Sequence, residues 1–208
     1  MPPANAQTHT EPSTPALRWL PASRPFTPPV RIAIAVLGGS ALLALSAHIA
    51  VPLYFTPVPF TMQPLAVLLL GLLLDPTVAF ATLLAYLLEG AAGLPVFAPG
   101  PGGLLDLMSP SGGYLLAYPF AVTLVSKLYR SRRPTFTWAA LSAAAGAVVY
   151  FTGGASWLAV VLHQPASIAL KLAVWPFLAG DALKIVLAAA IVTGLARIRS
   201  RSNTGPAL

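Results

Sequence analysis

Asp181 and Lys184 stand three residues apart within an otherwise apolar stretch, residues 175–193. At a spacing of i, i+3 they share one face of a helix. An ionisable group at the centre of a membrane helix costs about 2.5 to 3.5 kcal/mol on insertion scales, so two of them in one helix mark a functional site. The carboxylate accepts hydrogen bonds and the ammonium donates them. Together they suit a small polar ligand with both donor and acceptor groups, or a carboxylate that needs a cation. The competing account is a salt bridge that neutralises only itself. Buried pairs repay their desolvation poorly, and apolar replacements are often neutral or stabilising, so a ligand-facing role is the expectation. Glu89 is read as the other membrane-depth carboxylate. It is expected to pair with Lys171 or Lys184 or to line the same pocket, with a wetted interfacial position as the alternative.

Other chemistries find little support. The chain has no cysteine, which excludes thiol catalysis, disulfides and cysteine-ligated metals. His48 and His163 stand apart from any cluster of Asp and Glu, so no metal site is expected. No HExxH or GxSxG context occurs, and the glycines at 100, 102 and 103 lack the Lys-Ser/Thr ending of a phosphate loop. An enzyme is therefore not expected, nor ATP hydrolysis by this chain. The same glycines read as a flexible gate.

The elements that hold the pair follow from composition. Of 208 residues, 57% are hydrophobic and 8% charged, and the mean hydropathy is +0.78. These values exclude an ordinary soluble domain and predict an all-α membrane protein. A spanning helix needs about 20 largely apolar residues. Spans are expected over residues 32–53, 77–94, 112–128, 135–162 and 175–195, with one awkward span between the first two. Its apolar run, 65–74, is too short to cross alone, so it must recruit Phe60, Met62 and Gln63. Asp75-Pro76 turns the chain into the next span. Pro52, Pro57 and Pro59 keep residues 51–59 extended, because proline lacks the amide donor and restricts its predecessor. A second irregular stretch covers residues 95–110. The expected domain is thus a compact bundle of six transmembrane helices over 31–199, with irregular outward loops 1-2 and 3-4. A Pro-rich tail over 1–30 and a short tail over 200–208 flank it.

Charge placement orients this bundle. Arg18, Arg24 and Arg31 precede the first span, Lys127, Arg130, Arg132 and Arg133 separate the fourth and fifth, and Arg197, Arg199 and Arg201 follow the last. With six crossings all ten fall on one side, which the positive-inside rule makes cytoplasmic, together with both termini. The net charge of +7 is then a topology signal, and no nucleic-acid partner is needed. Loops 1-2 and 3-4 fall outside, beside the end of the last span that carries Asp181 and Lys184. Irregular backbone at membrane depth is tolerated where protein or a water-filled cavity surrounds it. The expectation is an outward-facing pocket roofed by these loops and floored by Asp181 and Lys184.

Tyr114, Phe97 and Gln63 are further candidates for its walls, because a small apolar-bodied ligand wants aromatic surfaces and a few placed polar groups. Aromatic belts at the membrane interface explain any single aromatic equally well. Ala35 and Gly39 form a small-xxx-small pair, which serves either packing inside the bundle or an interface with a partner membrane protein.

Three stretches carry a family likeness. Residues 55–63 read FTPVPFTMQ, residues 86–114 run from Tyr86 through Gly93-Leu94-Pro95-Val96-Phe97-Ala98 to Pro110-Ser111-Gly112-Gly113-Tyr114, and residues 176–184 read PFLAGDALK. With these the chain resembles BioY, the substrate-binding membrane subunit of energy-coupling-factor biotin transporters, from the first span to the last. The resemblance implies a six-helix bundle in a bacterial cytoplasmic membrane that captures biotin from outside. It also implies a transmembrane coupling subunit and two cytoplasmic ATPases as partners, and it leaves association with further copies of the chain open. Biotin would be the transported ligand, with no cofactor, and the residues corresponding to Asp181 and Lys184 contact it. Two departures touch the lid: extra proline at 99–101, and Ser109-Pro110-Ser111 where relatives carry Gly-Pro-Thr. A subunit for a different vitamin and a non-transporting membrane scaffold are the alternatives.

Overall fold

The computed structural model describes residues 28–202. Of the expected tails, residues 1–27 and 203–208 lie outside the described residues. Eight helices and one two-residue ribbon occur among those described: α1 (Pro28–His48), β1 (Ala50–Val51), β2 (Phe60–Thr61), α2 (Gln63–Leu73), α3 (Pro76–Ala91), α4 (Leu104–Met108), α5 (Gly112–Arg130), α6 (Phe136–Val161), α7 (Ala166–Ala173) and α8 (Leu178–Ser202). Three of them, within α1, α6 and α8, are long and apolar enough to cross a membrane. α2 and α3 are shorter apolar helices. Large apolar side chains such as Leu37, Leu45, Val148 and Leu183 are exposed around the outside, where a soluble protein would place charge.

Several boundaries differ from the expectation, and each has a local cause. The first helix stops at His48 instead of residue 53, because Pro52 disfavours helical backbone at Val51. Ala50 and Val51 instead pair antiparallel with Thr61 and Phe60, and the Met62 amide donates to the Ile49 carbonyl at 3.1 Å. Phe60 therefore joins a ribbon and not the second helix, which begins at Gln63 with a proline in its first turn. The third helix ends at Ala91, three residues early. Gly93 adopts φ 93°, and the Leu94 and Gly93 amides donate back to the Glu89 and Gly90 carbonyls. That pairing is a Schellman stop, and the left-handed residue is the one that glycine tolerates. The stretch expected to be irregular over 95–110 contains α4, and the last long helix begins at Leu178 after a turn over 174–177, preceded by the unexpected α7.

Each helix turns one stripe inward. On α8 the buried residues are Asp181, Lys184, Ala188, Ala189 and Val192, which follow the i, i+3, i+4 spacing of one helical face. On α1 they include Gly39, Ser40, Leu43 and Ala47. A Cβ added at Gly39 would meet Thr82 of α3 and Leu70 of α2, so the close approach at Gly39 is made within the chain. Ala35, one turn before it, is half-buried. At the opposite end from the ribbon and α4, Arg130 ties the α2–α3 turn to α5. Its Nε donates to Asp75 Oδ1 at 3.0 Å, and its terminal nitrogens donate to Ser126 and to the Leu73 carbonyl.

Candidate functional site

The first two turns of α8 present Asp181 and Lys184 to the interior, each about 3% exposed. Lys184 Nζ donates to Asp181 Oδ1 at 2.7 Å. The other carboxylate oxygen accepts from the Tyr150 hydroxyl at 2.8 Å, so α6 fixes the orientation of the acid. Lys184 Nζ also sits 4.1 Å from the centroid of the Phe60 ring, a cation–π contact on the ribbon strand β2. Phe60 in turn stacks on Phe177, with ring centroids 6.2 Å apart and planes 3° apart. The ammonium thus has one anionic partner and one aromatic face. Both residues border open space.

That space is a cavity of about 240 Å³. Asp181 and Lys184 are part of its wall, together with Tyr114, Tyr118 and Tyr150 from α5 and α6. The loop after β1 contributes Pro57, Val58 and Pro59, and α4 with the stretches on either side of it contributes Phe97 to Pro101, Asp106 and Ser109 to Ser111. Loop prolines suit this duty: they hold backbone extended and offer no amide that the apolar wall would leave unpaired.

The rings are seated by missing side chains. A Cβ at Gly90 would fall within the Phe97 ring, one at Gly154 against Tyr114, and one at Gly180 against Phe60. Three helices therefore each give up a side chain so that an aromatic can press against bare backbone. Hydrogen bonds complete the placement. Gln63 Nε2 donates to the Tyr86 hydroxyl at 2.8 Å, and that hydroxyl donates to the Val96 carbonyl at 2.9 Å, which pins the start of the α3–α4 loop. Tyr86 also meets Phe97 edge to face, with centroids 5.3 Å apart. The Tyr114 hydroxyl donates to the Ala173 carbonyl at the end of α7. Thr56 Oγ1 donates to the Leu172 carbonyl at 2.8 Å, and Trp157 Nε1 to the Ser109 carbonyl at 2.9 Å, so both roofing loops are tied to neighbouring elements.

The structure brings five of the six sequence candidates into one wall: Asp181, Lys184, Tyr114, Gln63 and Phe97. Glu89 is elsewhere. It accepts a hydrogen bond from Ser40 of α1, and neither Lys171 nor Lys184 pairs with it among the described residues. Sequence reasoning missed Tyr150, Phe60 and Phe177 as members of the site, and it missed Asp106. The signal for Asp106 was present as a lone carboxylate inside the apolar run Leu104-Leu105-Asp106-Leu107-Met108. Tyr150 gave no such signal, because one tyrosine in a small-residue helix is ordinary until its partner is known. No group of three or more His, Cys, Asp or Glu side chains comes together among the described residues. The polar equipment of the cavity is a neutral ion pair, one further carboxylate, an amide and hydroxyls, which fits recognition of a small ligand with few polar atoms.

Comparison with known proteins agrees with this architecture. The model of the BioY family matches residues 17–201. The chain is 35% identical over 167 residues to the biotin transporter BioY2 of Lactococcus lactis subsp. cremoris, covering 80% of this chain and 89% of that one. It is 33% identical over 159 residues to the biotin transporter BioY of Thermotoga maritima, covering 76% and 92%. Among solved structures it resembles the S-component for biotin from an ECF-type ABC transporter, with a TM-score of 0.74, 26% identity, and coverage of 83% of this chain and 95% of that one. The chain belongs to the BioY family.

Proposed function

From that membership and the geometry of the cavity, we propose that this chain is the membrane-embedded biotin-binding subunit of a biotin uptake transporter. The observation that carries the reading is a buried Asp181–Lys184 pair in the wall of an aromatic-lined cavity of about 240 Å³. Biotin's ureido ring offers two N–H donors and a carbonyl acceptor, which an acid beside an ammonium complements. Its fused ring and valeryl chain are apolar and match the Phe and Tyr walls.

Six crossings are supplied by α1, α2, α3, α5, α6 and α8, with α4, α7 and the ribbon as outward caps. Charge supports this arrangement. Lys127, Arg130, Arg132 and Arg133 cluster where α5 gives way to α6, at the end remote from the ribbon and α4, which the positive-inside rule makes cytoplasmic. Biotin then enters from outside beneath the two roofing loops. The chain supplies binding, and energy comes from a coupling subunit and cytoplasmic ATPases that dock on it in the bacterial inner membrane.

Thermal unfolding of the purified full chain in detergent, with and without a panel of vitamins, tests the proposal. A ligand at a thousandfold excess over its Kd stabilises the folded state by about 4 kcal/mol. Biotin is expected to raise the unfolding temperature alone in the panel. Stabilisation by another vitamin and not by biotin would reassign the substrate, and no stabilisation by any would leave a scaffold as the better account.

A further inference from the structure

Two of the stretches that carry the family likeness meet at Lys184. Residues 55–63 supply Phe60 on β2, and residues 176–184 supply Phe177, Gly180 and Lys184 itself. The Lys184 ammonium lies 4.1 Å from the centroid of the Phe60 ring. That ring is seated from two sides. Phe177 stacks on it with centroids 6.2 Å apart, and a Cβ at Gly180, one turn before Lys184 on α8, would fall against its edge. Lys184 and Phe177 line the cavity, whereas Phe60 is half-buried and not among the lining residues. The ring therefore reaches the ligand site through the ammonium.

A buried ammonium is costly unless its surroundings hold the charge. Lys184 is 3% exposed, and its ion pair is with Asp181 at 2.7 Å. A second carboxylate in place of the ring would hold it too, but would leave net negative charge in the wall and engage another N–H. An aromatic face attracts the cation through its quadrupole and adds no net charge. The Asp181–Lys184 pair thus stays neutral overall while the ammonium is held on two sides.

Resting on the biotin reading, we propose that Phe60 is a positioning residue for biotin recognition: its ring, seated by Gly180, fixes the Lys184 ammonium through the cation–π contact. Biotin affinity then depends on the electron density of a ring that lies outside the cavity wall.

The test keeps the shape of the ring and removes its quadrupole. Full-length protein carrying 4-fluoro-, 3,5-difluoro- or 3,4,5-trifluorophenylalanine at position 60 is titrated with biotin in detergent. The same series at Phe97, a wall ring with no cation over it among the described residues, is the control. A desolvated cation–π contact corresponds to up to about thirtyfold, so affinity should fall stepwise with each fluorine at Phe60, by about tenfold at three, and change less than about threefold at Phe97. Gly180→Ala, which displaces the ring, should weaken biotin by a similar factor, and by less than about twofold further when Phe60→Leu is already present. Unfolding of the ligand-free chain gives a second readout. Fluorination at Phe60 should lower the unfolding temperature of the native sequence and leave that of Lys184→Met unchanged, because no cation then faces the ring. Biotin affinity that is flat across the Phe60 series overturns the proposal, as does an equal decline in the Phe97 series. Equal loss of stability in both backgrounds would make the ring a packing element and also overturn it. A native chain that binds no biotin refutes the biotin reading and this role with it, whereas binding that ignores the fluorines removes the role of Phe60 alone.

Discussion

Replacing Lys184 by Met, Asp181 by Asn, and both together separates a pair kept for a ligand from a pair kept for the fold. Lys184→Met leaves the Asp181 carboxylate buried with Tyr150 as its one donor, and loss of one partner of a buried pair costs about 3 to 5 kcal/mol. Asp181→Asn is milder. The ammonium keeps the Phe60 face at 4.1 Å, and a desolvated cation–π contact offsets up to about 2 kcal/mol of the loss. In the double variant no charge remains, the Asn oxygen still accepts from Tyr150, and Met fills most of the volume of Lys. Apolar replacement of a buried pair is often neutral, so the double variant is expected within about 1 kcal/mol of wild type. Unfolding in detergent micelles measures these differences, and titration with biotin measures binding. All three variants should lose biotin by more than a hundredfold, including the double variant that has regained its stability. A double variant as unstable as Lys184→Met, with biotin affinity near that of wild type, would refute the reasoning and make the pair structural.

Two further perturbations probe the frame around the pair. Gly90→Ala places a methyl where the Phe97 ring lies, and overpacking of this kind costs about 1 to 3 kcal/mol. Because Phe97 is cavity wall, biotin titration should show weakening of about tenfold that exceeds any change on Leu87→Ala, a buried substitution outside the wall. Arg130→Met removes a partly exposed ion pair with Asp75 and two further donations at the opposite end of the bundle. A loss of about 1 to 2 kcal/mol in unfolding is expected with unchanged biotin affinity, and altered affinity would show that this end communicates with the cavity.

What the sequence revealed and what it hid divide along one physical line. Features that violate the rules of the bilayer are legible from residue types alone. Asp181 and Lys184 break an apolar run, the proline clusters at 52–59 and 95–110 break helices, and basic residues gather in three clusters along the chain. Each is a local anomaly against a strong background, so each could be read without knowing the neighbours. Boundaries were less legible because in each of two expected spans a single residue near the end stopped the helix early. Pro52 ended α1 early, and Gly93 ended α3 early through backbone conformation.

Partners were hidden for a different reason. Tyr150 lies 31 residues before the carboxylate it orients, in a helix whose mean composition is small and apolar, and nothing in that helix marks its inward face as polar. Phe60 was assigned to a helix and belongs to a ribbon, and only the ribbon brings its ring over Lys184. Glu89 shows the reverse error. Like Asp181 it is a carboxylate in an apolar helix, yet it is only half-buried and its partner is a hydroxyl on α1, so a carboxylate in an apolar run does not by itself define a site. What distinguishes Asp181 is the combination of burial, a paired cation and a place in the cavity wall.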